Sequence, residues 1–121
     1  MSTTHSPLFI IPVLSSSDID RDLKWYEKQT GFKYVFGDSG YAGLQRKGHE
    51  IHLQFHHGTA EDPIHGSVIK FFVKDIRPYV EEFIKRGTIT SEKLREYTPW
   101  GTHEFGFYDL NKNAIFIVQD I

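Results

Sequence analysis

The chain has 121 residues, a formal net charge of −2 and no cysteine. That length suits one domain with one ordinary core, and the charge supplies no basic stripe with which to neutralise nucleic-acid phosphates. Without cysteine there is no disulfide framework, thiolate zinc site or cysteine nucleophile. A hydrophobic content of 39% and a charged content of 25% describe a globular chain rather than a disordered one. Aromatic residues reach 15%, more than a small core needs, so an aromatic groove or interface is expected.

Residues 1–7 are polar. Residues 8–14 read as a buried strand, and Pro12, which cannot donate to a ladder, places it at a sheet edge or beside a break in pairing. The run is too short to cross a bilayer and lacks the basic flank of a leader, so cytoplasmic residence is expected. Ser17 with Asp20 matches a capping box, after which Ile19, Leu23 and Tyr26 fall at helical spacing up to Gly31. Residues 32–36, 41–46 and 50–55 read as strands, separated by turns at 37–40 and at Lys47 and Gly48. Residues 58–63 form a polar linker. The pattern then repeats, with a strand over 68–73 and a helix capped by Asp75. That helix places Ile76, Tyr79, Val80, Phe83 and Ile84 on its buried face, with the pairs Glu81/Lys85 and Glu82/Arg86 outside. Strands are expected at 93–97, 105–109 and 115–119, with the last turn at 110–113.

The order is strand, helix, three strands, twice over. It defines an α+β fold in which two βαβββ modules, about residues 8–57 and 66–119, form a curved mixed sheet around a cavity in a single domain. Helices cover the outer face and the inner face is free to hold a ligand.

Seven histidines invite a metal reading, but they are dispersed, and no His-Glu-x-x-His or calcium-loop spacing is present. There is no Gly-x-Ser-x-Gly and no glycine-rich phosphate loop. The strand at 50–55 alternates, with Ile51, Leu53 and Phe55 toward the core and Glu50, His52 and Gln54 on the other face. The second set is either a solvated face or the polar wall of a ligand cavity. Phe36 and Trp100 are likewise either core residues or stacking platforms. Trp100, held between Pro99 and Gly101, suits a planar ligand. Glu104 either pairs with a nearby cation or stands exposed.

Residues 9–14, the Ser17, Asp18 and Ile19 start, the Trp25 and Tyr26 pair, and Gly31 with Phe32 resemble the opening of vicinal-oxygen-chelate proteins, the glyoxalase/bleomycin-resistance/dioxygenase superfamily. The run from Pro99 through Trp100, Gly101, Thr102, His103 and Glu104 to Phe105 is more specific. With Asp109 through Asn113, it is similar to the signature of the bleomycin-resistance branch. The resemblance covers about residues 8–119. It implies paired βαβββ modules. Metal-dependent enzymes of the superfamily use His and Glu at four inward positions, which fall here at Ile11, His52, Val68 and Phe116. Only His52 is able to ligate, so no metal or other cofactor is expected.

The resemblance further implies a homodimer that exchanges its first strand around Pro12. Such proteins sequester a cationic antibiotic, unaltered, in two grooves at the dimer interface. Trp100 and Phe36 would stack, His52, Gln54 and Glu104 would line the polar side, and Lys70 would face the cavity. Asn113 takes the glycine-like position of the last turn, where Asn tolerates positive φ. The expected protein is thus a metal-free binder of bleomycin-like antibiotics, with no catalytic residues, no nucleic acid and no membrane among its partners. Two alternatives stand beside it: an enzyme with an atypical site in which His52 works with Glu50 or Glu104, and a binder of another metabolite.

Overall fold

A computed structural model describes residues 9–121. Strand β1 (Val13–Ser16) leads to helix α1 (Ile19–Thr30), then β2 (Lys33–Gly37), β3 (Tyr41–Arg46) and β4 (His49–Phe55). The second half runs β5 (Val68–Phe72), helix α2 (Arg77–Lys85), β6 (Thr102–Tyr108) and β7 (Ala114–Asp120). The mixed sheet comes as two smaller sheets, ordered β1-β4-β3-β2 and β5-β7-β6. In each, the first strand runs parallel to the last (β1 with β4, β5 with β7), and the last pairs antiparallel with the strand before it. The topology therefore repeats although the sequence does not.

The alternation expected along β4 is present. Ile51 and Leu53 are buried with Leu14, Ala42, Leu44 and Tyr26 beneath α1, and Glu50, His52 and Gln54 take the opposite, inner face. Phe55, expected in the core, is exposed because the strand ends there. In the second half Ile76, Phe83, Phe105 and Ile117 form the corresponding cluster, and Phe71 and Phe107 pack against both clusters. The helix-covered sides of the two sheets thus share one continuous apolar interior.

Several expectations are corrected. Leu8 lies outside the described residues, and β1 starts only at Val13, because Pro12 has no N–H for a ladder and contributes its carbonyl to His52 N–H instead (3.0 Å). The strand does lie at the sheet edge. Asp18, not Ser17, caps α1, accepting from Arg21 N–H (3.1 Å). Ser17 is engaged elsewhere, its hydroxyl donating to Asn111 Oδ1 (3.1 Å). Asp75 stands one residue too early to cap α2, where Ile76 is the N-cap without a side-chain bond, and Asp75 holds Arg77 instead. Ile84 turns toward solvent. Glu82 pairs with Arg86, but no ion pair joins Glu81 and Lys85 among the described residues. The strand expected at 93–97 is reduced to one bridge, Arg95 with Glu104, after a single 3-10 turn at Ser91–Lys93. Tyr97 at φ 52° and Pro99 prevent an extended ladder there. In the last turn the positive φ (64°) falls on Lys112, not Asn113. Asn113 is instead buried and bonds Asp109 and the Ser15 carbonyl.

No helix among the described residues is long and apolar enough to cross a membrane.

Candidate functional site

Five of the six residues singled out from the sequence lie on the inner faces of the two sheets and Trp100 in the turn leading into β6, in two separate groups. On the first sheet, His52 is central. Its Nδ1 lies 2.7 Å from Tyr41 Oη and its Nε2 lies 2.6 Å from Glu50 Oε2. Hydrogen bonds to Tyr41 on one side and Glu50 on the other hold the ring by both nitrogens. Phe36 meets the His52 ring edge-on, with centroids 5.1 Å apart. It reaches there across Gly43, where a Cβ would sit 2.1 Å from the Phe36 ring. Phe36 remains 42% exposed, so one aromatic surface is presented outward. Gln54 lies one inner-face position further along β4, at a hollow of about 310 Å³ that it shares with Val13, Ser15 and His56.

On the second sheet, Trp100 sits in the turn before β6 and is 54% exposed. Its indole N–H donates to Glu104 Oε1 (2.8 Å), which also accepts from the Thr102 hydroxyl (2.7 Å). Glu104 is only 3% exposed. Desolvation, the largest influence on its carboxyl, pushes it toward the neutral form. The bonds from Thr102 and Trp100, with the nearby charges of Lys70 and Arg95, outweigh that and hold it below the ordinary carboxylate range. Glu104 therefore fixes the Trp100 ring as an anion inside a cationic surround. The Arg95 guanidinium covers the Trp100 ring at 5.0 Å from its centroid, leaving the other side open. Lys70 projects over Phe116, with Nζ 5.8 Å from the ring centroid. Phe116 in turn lies across Gly106, where a Cβ would be 2.5 Å from the ring. The glycine beneath an aromatic ring recurs on both sheets.

No hydrogen bond, ion pair or ring contact joins the two groups among the described residues. The second hollow, about 400 Å³, is lined by Lys93, Arg95, Gly106, Tyr108, Ala114 and Phe116 with Thr88, Ile89 and Phe107 behind. Sequence reasoning missed Tyr41, Lys93 and Arg95. Tyr41 was within reach of it, since the two-residue turn at Lys47 and Gly48 fixes the β3–β4 register and sets Gly43 opposite His52.

The residues do not fit a metal. Of Ile11, His52, Val68 and Phe116, only His52 has a ligating atom, and its nitrogens are occupied. No group of three metal-binding side chains occurs among the described residues.

No family model matches the chain and no curated protein resembles it in sequence. Solved structures do resemble it in fold. A glyoxalase/bleomycin resistance protein/dioxygenase from Nocardioides is 17% identical with a TM-score of 0.74, over 98% of this chain and 87% of that one. The bleomycin-binding protein of Streptomyces verticillus, solved with copper(II)-bleomycin, is 22% identical with a TM-score of 0.73, over 94% and 97%. A glyoxalase-related enzyme from Clostridium phytofermentans is 18% identical with a TM-score of 0.72, over 99% and 100%. The chain has the fold of the glyoxalase/bleomycin-resistance/dioxygenase superfamily. Bleomycin-binding proteins and a glyoxalase-related enzyme both stand among its structural neighbours.

Proposed function

We propose that this protein binds a small molecule without transforming it, in two grooves formed where two copies meet, and that bleomycin-like antibiotics are its ligands. One observation carries the reading: Phe36 with His52 and Trp100 with Glu104 are each held in a fixed, satisfied arrangement, with aromatic surface left outward. Rigid aromatic anchors with a few placed polar atoms favour binding, since little freedom is lost on contact. The two groups lie on different sheets, so a groove lined by both is completed by the first sheet of one copy and the second sheet of its partner. Apolar inner-face residues such as Val68 (63% exposed) and Phe72 offer the surface for that contact. Phe9 and Ile10, ahead of Pro12, are also exposed, so the segment before β1 offers surface to a partner while β1 itself pairs with β4 of its own chain. The protein works in the cytoplasm, without cofactor.

The test is calorimetric titration of metal-free and copper-loaded bleomycin, followed in parallel by tryptophan fluorescence. One site per subunit, weakened about tenfold or more by Trp100→Ala, is the expected result, as for loss of a central aromatic anchor. Absence of heat and of spectral change at high micromolar drug removes bleomycin as the ligand.

A second reading has its own observation. The Tyr41, His52 and Glu50 chain is an acid–base relay in form. An enzyme using it loses turnover in His52→Ala with the fold intact, whereas a binder has no turnover to lose.

A further inference from the structure

We propose that the hollow on the inner face of the second sheet selects a planar aromatic anion. The proposal keeps from the reading above only that a small molecule is bound; it gives that molecule the opposite charge to a cationic drug, and it needs only one chain.

The hollow measures about 400 Å³, within the range that holds a small organic ligand. Gly106 leaves its floor free of side chain, and the Phe116 ring covers that floor. Three cations surround the ring. Lys93 and Arg95 line the hollow, and Lys70 stands over Phe116 from the neighbouring strand. None of these three cationic groups makes a hydrogen bond or ion pair among the described residues. The carboxylate placed among them is Glu104, which is buried and turned to Trp100 and Thr102. Against Glu104, and Glu92 which acts on Lys93, stand three positive charges, a local excess of one. Glu92 is bonded to the Thr90 hydroxyl (2.6 Å) beside Lys93, and Asp120 lies at the far end of β7, opposite Thr102 in the strand ladder. Neither lines the hollow.

A concave surface with a local excess of positive charge attracts anions and repels cations, and its low-dielectric walls strengthen the effect. The Phe116 face supplies stacking for a ring when the Lys70 side chain that stands over it turns to the ligand's anionic edge. A ligand that satisfies both is a flat aromatic body carrying a carboxylate, or another single anionic group, at its edge. The protein as a whole is acidic, so this cationic cup is a local feature against the net charge of −2.

The experiment is a calorimetric series on the full chain with three matched probes: 2-naphthoate, 2-naphthamide and 2-naphthylmethylammonium. The expected order is naphthoate tighter than naphthamide by about tenfold, the worth of a charge-assisted contact, with the ammonium weakest. Lys70→Gln, Lys93→Gln and Arg95→Gln each weaken naphthoate severalfold and leave naphthamide unchanged, while Lys85→Gln on the outer face of α2 alters neither. Equal binding of acid and amide, preference for the ammonium, or no binding of any probe overturns the proposal. Copper(II)-bleomycin titrated into the same preparation separates the two readings. Bleomycin binding without naphthoate preference leaves the proposed function standing and removes this one. Naphthoate preference without bleomycin binding does the reverse for the ligand.

Discussion

Two buried acids do most of the specifying work at the scale of single residues. Asp22 accepts from the Ser16 hydroxyl (2.5 Å) and Asn111 Nδ2 (2.6 Å), tying α1 to β1 and to the last turn. Asp109 accepts from Tyr26 Oη (2.5 Å), from the backbone of Asn111 and Asn113, and from Asn113 Nδ2. Burial, followed by the charge of Asp109, pushes the Tyr26 phenol well above its ordinary value of 10. A group raised on folding contributes stability that is present below its unfolded value and lost as pH rises beyond it. The wild-type protein should therefore lose stability above pH 10, and Tyr26→Phe should lack that loss in urea melts across the alkaline range. At neutral pH the same substitution should cost about 1–3 kcal/mol, the penalty of leaving a buried acceptor short of a donor. Lys112 offers the opposite case. Its φ of 64° suits glycine, so Lys112→Gly should stabilise by about 0.5 kcal/mol by relieving left-handed strain at some entropic cost, read as a higher urea midpoint. The sequence showed the Asp109 to Asn113 motif but not which of its residues turns left-handed. An Asn at positive φ is the commoner choice, and here Asn113 is drawn away by its bonds to Asp109 and Ser15.

Among the elements, the decisive joint lies at the C-terminus of α1. Gly31 at φ 77° ends the helix as its position predicts. A Cβ there would lie 2.7 Å from both Arg46 and Arg86, so the glycine also makes room for two cations at the negative end of the helix dipole. Arg46 donates to the Thr30 carbonyl (2.6 Å), and Arg86 donates to the Glu27 and Lys28 carbonyls. Glu82 of α2 bridges them, bonded to Arg46 at 2.5 Å and to Arg86 at 2.7 Å. The Arg46 bond, working against desolvation and aided by Arg86, lowers the Glu82 carboxyl from 4.5 to about 2. A depressed acid contributes stability above its unfolded value and loses it as pH falls toward the folded one. Stability should thus decline between about pH 4.5 and 2, and Glu82→Gln should flatten that limb. At pH 7 it should cost about 1–2 kcal/mol, less than the shift alone implies because the pair is partly solvated. Helical spacing announced the Glu82 and Arg86 pair. It did not announce Arg46, because a contact between residues 36 apart belongs to the tertiary fold. The strand expected at 93–97 failed for a related reason: its apolar and polar residues suit a ladder, but Tyr97 and Pro99 leave only the Arg95 and Glu104 bridge.

For the whole molecule, the recurring strand, helix, strands order was legible because two turn-bounded patterns recur along the chain, although the second half has two strands after its helix rather than three. The division of the candidate site was not. Phe36, His52 and Gln54 read as one set with Lys70, Trp100 and Glu104, yet they occupy two sheets, since strand alternation fixes a face without saying which sheet faces which. Proposed grooves shared between two copies make a direct demand on assembly. The full chain should sediment as a dimer, and removal of residues 1–11 should shift it toward monomer if the segment ahead of Pro12 is exchanged. The central claim is best tested by mixing subunits. Phe36→Ala with His52→Ala disables one wall, and Trp100→Ala disables the other. Copper(II)-bleomycin is then titrated into each variant alone and into their equilibrated equal mixture. A site made by two copies predicts binding weakened about tenfold or more in each variant and recovered wild-type affinity at one groove per mixed dimer. Binding in the mixture no greater than the average of the two parents would contradict a groove shared between copies.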